Sequence, residues 1–167
     1  MTRELIVLRH AKADRGSHVD HERPLTGRGR RDALAAGRWM AENDIKPELT
    51  LCSTATRAKE TWALAAMELG DGVPTQFERD IYGGDTEDIL RLLRDTDKHV
   101  HTLLLVGHNP TLQDLVLLLA GDGEPELIDA ARSDFGTAAL ARLRLSRGWT
   151  VLDPASAALI DFTVARG

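Results

Sequence analysis

The stretch Leu5-Ile6-Val7-Leu8-Arg9-His10 decides the architecture. Four consecutive apolar residues read as a strand buried on both faces, the pattern of a parallel sheet covered by helices on either side. Open sheets of this kind carry their ligand crevice beyond the carboxyl ends of the strands. Arg9 and His10 therefore stand at the place where a ligand sits. Left unpaired at an apolar edge, the two groups would be costly to desolvate, so an anion is expected to complete them. The alternative is a strand end that reaches solvent with two ordinary surface residues.

The rest of the chain repeats the theme. Thr26 is placed to cap a helix over Gly27 to Asn43, with Ala33, Leu34, Gly37, Met40 and Ala41 at helical spacing. Leu49 to Cys52 reads as a second strand, followed by a helix from Ala55 to Leu69, a weak strand over Pro74 to Phe77, a loop at Ile81 to Gly84 and an amphipathic helix from Thr86 to Arg94. Thr102-Leu103-Leu104-Leu105-Val106 is the clearest strand, and Gly107-His108-Asn109-Pro110 follows it. Pro110 suits the first turn of a helix through Leu112, Leu115, Val116 and Leu119. Gly121 to Ser133 reads as a loop. Thr137 to Leu145 and Trp149 to Leu152 read as the arms of a hairpin, and Leu159 to Val164 as a last alternating strand. Strand and helix alternate without repeat or linker, so residues 1–167 form a single α/β domain, three layers deep, with a mainly parallel mixed sheet.

Composition narrows the function. The 167 residues suffice for a full core without staples, and a net charge of −5 argues against a general nucleic-acid or anionic-membrane binder. The single cysteine, Cys52, excludes an intrachain disulfide and fits a reduced, cytoplasmic setting. No signal-peptide pattern and no membrane-length apolar run is present. An anionic substrate must be captured locally.

Three strand ends supply the means. His10, His108 and, from the helix after the second strand, Arg57 can converge with Arg9 on one crevice. Two arginines and two histidines around one point suit a tetrahedral dianion. Guanidinium forks match phosphate oxygens, and a helix N-terminus such as that near Asn109 offers backbone amides. One imidazole can attack phosphorus and carry the phosphoryl group until water removes it. The other, if protonated, stabilises charge on the transferring group.

Leu8-Arg9-His10-Ala11-Lys12, Arg23-Pro24-Leu25-Thr26-x-x-Gly29, Ser53-x-Ala55-x-Arg57-Ala58-x-Glu60-Thr61 and Val106-Gly107-His108-Asn109-Pro110 resemble the histidine phosphatase superfamily. The Arg-His-Ala-Lys form and the short chain resemble its SixA-type branch, the phosphohistidine phosphatases. The resemblance implies a phosphoglycerate-mutase-like fold, His10 as phosphorylated nucleophile, and Arg9, Arg57 and His108 as the phosphate pocket. It suggests substrate contacts for Arg23 and for the backbone of Asn109, an ordinary surface arginine being the other reading of Arg23. It implies no cofactor and no metal. Many members carry a carboxylate acid just before a Tyr-Gly or Phe-Gly pair. In Phe77-Glu78-Arg79-Asp80-Ile81-Tyr82-Gly83 neither Glu78 nor Asp80 falls clearly at that position, so both stand as candidates. The expected substrate is phosphohistidine in a protein, with a small phosphate ester as the rival enzyme reading and a phosphate-dependent binding module as the rival outside enzymes.

Other polar clusters have plainer readings. Asp14, His18, Asp20 and His21 crowd one long loop and could be drawn as a metal site, but their spacing matches no helix-borne ligand pair and suits a solvated loop. Trp39 and Trp62 read as packing residues, and Cys52 as a small buried hydrophobe.

Overall fold

The computed structural model describes residues 2–16 and 19–167. His18 lies outside the described residues. The strands are β1 (Arg3–Arg9), β2 (Leu49–Ser53), β3 (Thr75–Glu78), β4 (Thr102–Gly107), β5 (Ala120–Gly123), β6 (Ala139–Leu145) and β7 (Ala157–Val164). The helices are α1 (Gly27–Glu42), α2 (Thr56–Met67), α3 (Arg79–Gly83), α4 (Thr86–Arg94), α5 (Thr111–Leu119) and α6 (Pro125–Ser133). The strands form one sheet in the order β3-β2-β4-β1-β6-β7-β5. β6 alone runs against the others, pairing antiparallel with both β1 and β7, so the sheet is mixed but mainly parallel.

The apolar runs of β1 and β4 are central, and their residues alternate between two cores. Leu5, Val7, Leu103 and Leu105 meet Ile89 and Leu93 of α4 and Leu112, Leu115 and Val116 of α5. Ile6, Leu8, Leu104 and Val106 meet Ala33, Ala36 and Met40 of α1 and Ala58, Trp62 and Ala65 of α2. An uninterrupted apolar strand is thus required by burial on both faces. Among the described residues, no helix is long and apolar enough to cross a membrane.

Three local expectations are overturned. Ile81 to Gly84 is not simply a loop, because Ile81 is drawn into the core and the short helix α3 forms around it. Residues 121–133 are β5 followed by α6. β5 is a Gly-rich edge strand with no apolar alternation to announce it, while α6 begins with Pro125 at its first position and buries Ala131. Trp149 to Leu152 is not a hairpin arm. Burial of the Trp149 ring, whose Nε1 donates to the Val100 carbonyl at 2.8 Å, bends Trp149–Val151 into a 3₁₀ turn, and β6 pairs instead with β7.

α1 and α2 cross in backbone contact at Gly37. A Cβ there would press into the Ala65 carbonyl oxygen and lie 2.8 Å from the Ala65 Cα. In a free helix Gly→Ala is worth about 1 kcal/mol of stabilisation, whereas overpacking a close contact costs about 1–3 kcal/mol. The clash is with backbone, which cannot rotate aside, so the second effect wins. Gly37→Ala is expected to lower the urea midpoint by a net loss of roughly 1–2 kcal/mol with an unchanged m value. A raised midpoint would show that the two helices separate freely.

Candidate active site

The parallel register sets Arg9 opposite Gly107, and the His10 amide donates to the Gly107 carbonyl at 2.9 Å. β1 and β4 therefore release Arg9-His10 and His108 side by side, with the imidazole centroids 5.2 Å apart. β2 ends next to them at Ser53, and Arg57 projects from the first turn of α2. A cleft of about 490 Å³ opens over these ends. Arg9, His10, Arg57 and His108 all line it, as do Arg23 and Asn109. Glu78 and Asp80 do not. Glu78 pairs with Ser53 at the end of β3 and stands half-buried ahead of α3, Asp80 is exposed on the first turn of α3, and neither is among the residues lining the cleft.

His10 is buried, and its Nδ1 lies 2.7 Å from the Ala11 carbonyl oxygen. A carbonyl only accepts, so Nδ1 carries the hydrogen and Nε2 keeps the lone pair. Burial pushes the imidazole pKa down to about 4, aided by the positive charge of Arg57, Arg9 and Arg23 and opposed by the bond to Ala11. At neutral pH the ring is uncharged with a free Nε2. His108 is pushed down to about 3, by burial first and then by His10 and Arg57. Its Nε2 pairs with the Ser53 hydroxyl at 2.7 Å. Flanked by guanidinium groups, His108 is thus neutral too, rather than the cation that would stabilise charge outright.

The two arginines are anchored at one end and open at the other. Arg9 NH1 donates to the Phe135 carbonyl at 3.0 Å, which also accepts from the Asn109 side-chain amide at 2.9 Å. The Asn109 side chain is thereby spent on structure. Arg57 NH1 donates to the Asp20 carbonyl at 2.8 Å and NH2 to the Asp20 carboxylate at 3.3 Å. Among the described residues, buried side-chain atoms lacking a protein partner include Arg9 Nε, Arg57 Nε and His108 Nδ1, all on residues lining this cleft. Such orphaned groups are uncommon and mark a place made for a ligand or for water.

Spacing alone missed Asp20, Tyr82 and Thr61. Asp20 accepts from Arg57, from Arg23 NH1 at 3.0 Å and from the Tyr82 hydroxyl at 2.7 Å, and the Tyr82 and Arg23 bonds hold its carboxyl down at about 2. His21, once drawable as a metal ligand beside it, instead bonds Thr54 through Nε2 and stacks edge-on against Tyr82. Thr61 accepts the Ala11 amide at 3.0 Å and donates to the Arg57 carbonyl at 2.6 Å. Cys52 is fully buried and its thiol is pushed up to about 12 by desolvation, as a core residue should be.

Residues 5–89 match the histidine phosphatase superfamily (branch 1). An uncharacterized protein of Mycobacterium tuberculosis is 36% identical over 162 residues, covering 95% of this chain and all of that one. The structure of a candidate phosphohistidine phosphatase SixA from Nakamurella multipartitia superposes with a TM-score of 0.87 at 29% identity, over 99% of this chain and 97% of that one. Its counterpart from Agrobacterium tumefaciens gives 0.80 at 29% identity over the whole of both chains. With Arg9, His10, Arg57 and His108 gathered on one cleft and these likenesses spanning the full fold, the chain belongs to the histidine phosphatase superfamily and is SixA-like within it.

Proposed function

We propose that this phosphatase works through a phosphohistidine on His10 and acts on phosphohistidine carried by proteins. The observation that carries the reading is the His10 tautomer: the Ala11 carbonyl holds Nδ1–H and leaves a neutral Nε2 among cations. In the first step Nε2 attacks phosphorus as the bond from phosphorus to the leaving group breaks, and the leaving group takes up a proton from solvent. In the second, water attacks phosphorus, the Nε2–P bond breaks, and inorganic phosphate departs from a neutral imidazole. Arg9 and Arg57 donate to the equatorial oxygens, and His108 adds a neutral hydrogen bond. Arg23 closes the outer side of the pocket, and the backbone at Asn109 leads into α5.

The groups that line the cleft support this substrate class. Among the described residues, no carboxylate lines the cleft, and the Asp20 carboxyl, held at about 2, is ionised at neutral pH. A dedicated acid for a basic alkoxide is therefore missing from the wall, whereas the imidazole of a phosphoramidate leaves readily. That favours phosphohistidine over alkyl phosphates. Glu78→Gln combined with Asp80→Asn is expected to change kcat/KM on a phosphohistidine protein by less than about threefold. A loss near 10²-fold, the scale of general acid catalysis, would restore a carboxylate to the mechanism and favour the small-ester reading.

His10→Ala is expected to remove turnover by at least about 10³-fold and to abolish an acid-labile, alkali-stable phosphoryl label, while tungstate still binds through Arg9 and Arg57. Equal labelling of wild type and variant would eliminate His10 as the nucleophile.

Acidity gives an independent check. Because His10 titrates near 4 in the folded protein, kcat/KM on an aryl phosphate, corrected for the ester's own ionisation, should hold through pH 6 and fall only toward pH 4. A limb centred near 6.5, the ordinary imidazole value, would contradict a buried neutral ring. Stability moves in the same sense. The unfolded chain takes up protons on His10 and His108 below about pH 6.5 and the folded one does not until about 4 and 3. Their contribution is fully present above pH 6.5 and is lost as pH falls through that window.

A further inference from the structure

We infer that Lys12, Arg15 and Arg28 form a second anion subsite beside the phosphoryl pocket, one that takes acidic side chains flanking the phosphohistidine of a protein substrate. The inference rests on the phosphohistidine reading above and adds what the enzyme recognises around it.

The cleft is larger in charge than one phosphoryl group requires. Among the described residues, six cationic side chains line it and no carboxylate does, in a chain whose net charge is −5. Arg9 and Arg57 face the phosphoryl position, and Arg23 is engaged by Asp20 and the Asp14 carbonyl. Lys12 and Arg15 remain on the segment after His10, together with Arg28 on the first turn of α1, whose Nε also lies 3.6 Å from the buried Asp32 carboxylate. Their proximity is built. The Thr26 amide and hydroxyl both donate to the Lys12 carbonyl, at 2.9 and 3.3 Å, and Ala13 bridges to Leu25. Gly29 permits the approach, since a Cβ there would press into the Lys12 carbonyl oxygen. α1 also opens without an acidic residue in its first turn. Like charges gathered at the positive end of a helix repel its dipole as well as each other, an arrangement that an arriving anion relieves.

Burial indicates the form of that anion. Arg57, which serves the phosphoryl group, is 7% exposed, whereas Lys12, Arg15 and Arg28 are all exposed at the mouth. A second phosphate on a compact metabolite would call for a walled clamp like that of Arg57. Long exposed side chains on two separate segments suit carboxylates on a chain lying across the mouth, through screened pairs that are individually weak and act together.

The test is kcat/KM on three phosphohistidine peptides with acidic, neutral or basic flanks, for wild type, Lys12→Ala/Arg15→Ala and Arg28→Ala, at low and high salt. Arg28→Ala is kept separate because Arg28 lies 3.6 Å from the buried Asp32 carboxylate, and thermal melts check that each variant is folded. Wild type should prefer acidic over neutral flanks by about fivefold to tenfold, mainly through KM. That preference should shrink below about twofold in the double variant, shrink in part in Arg28→Ala, and fade in high salt. Equal kcat/KM on all three peptides, or a preference untouched by the substitutions, overturns the subsite and leaves phosphohistidine turnover standing. Preference for a small bisphosphate over its monophosphate, lost in the double variant and without any effect of flanks, assigns the subsite to a second phosphate and overturns the protein form. Turnover of an aryl phosphate with none on any phosphohistidine peptide removes the substrate reading and the inference together.

Discussion

The hydrogen bond from His10 Nδ1 to the Ala11 carbonyl is the contact on which the site depends, because it decides which nitrogen is free. That bond is only as firm as Ala11, and Ala11 is held from the far side. Its amide is accepted by Thr61 on α2, and Thr61 in turn donates to the carbonyl of Arg57, one turn earlier on the same helix. One threonine thereby couples the orientation of His10, the proposed nucleophile, to the helix that delivers Arg57, the proposed phosphate-binding arginine. Glu60 beside it accepts the Leu25 amide at 2.8 Å and lies near Arg30 of α1, tying down the end of the loop that carries Asp20 and Arg23. Arg57, Glu60 and Thr61 are therefore three positions of one helix face doing three linked tasks.

Desolvation and charge act in the same direction on the two imidazoles. Removing a cation from water is costly, and neighbouring guanidinium groups add repulsion, so both rings stay neutral. For His10 this is what the proposed nucleophilic role requires. For His108 it means that the arginines, which cannot surrender their protons, carry the fixed positive charge. A dianion arriving among them adds charge of the opposite sign and raises the affinity of both rings for protons, so substrate binding and imidazole ionisation are coupled through space.

Much of this was legible because two physical patterns are strong. Continuous apolar strands announce a covered parallel sheet, and a parallel sheet places its strand ends on one edge, so the sequence alone brings Arg9, His10 and His108 together. What stayed hidden was of two kinds. β5 has the sequence of a loop and exists because β7 offers it an edge, while Trp149 leaves the strand pattern because a core has room for its ring. Tertiary packing decides both, and no local period reports it. Asp20 and Tyr82 were hidden because their role is to bond other side chains across the fold, 62 positions apart. Motif spacing registers residues that face a ligand along one element, not those that brace them from another.

Asp20 presents an apparent contradiction: an ionised carboxylate beside a site built to bind a dianion. Exposure resolves it. The Asp20 side chain is 55% exposed while that of Arg57 is 9% exposed. Water around the carboxylate screens its repulsion of an incoming phosphoryl group, whereas the buried guanidinium attracts that group through a drier medium. The hydrogen bonds from Arg57 to Asp20 lose less, because they are directional and the one to the backbone carbonyl, at 2.8 Å, carries no net charge on its acceptor. A guanidinium has five N–H groups. Asp20 takes one from NH1 and one from NH2, which fixes the plane of the fork and leaves the second N–H of each for substrate. Braced in this way, Arg57 needs no reorganisation when phosphate arrives, and positioning that is complete before binding is what electrostatic catalysis requires.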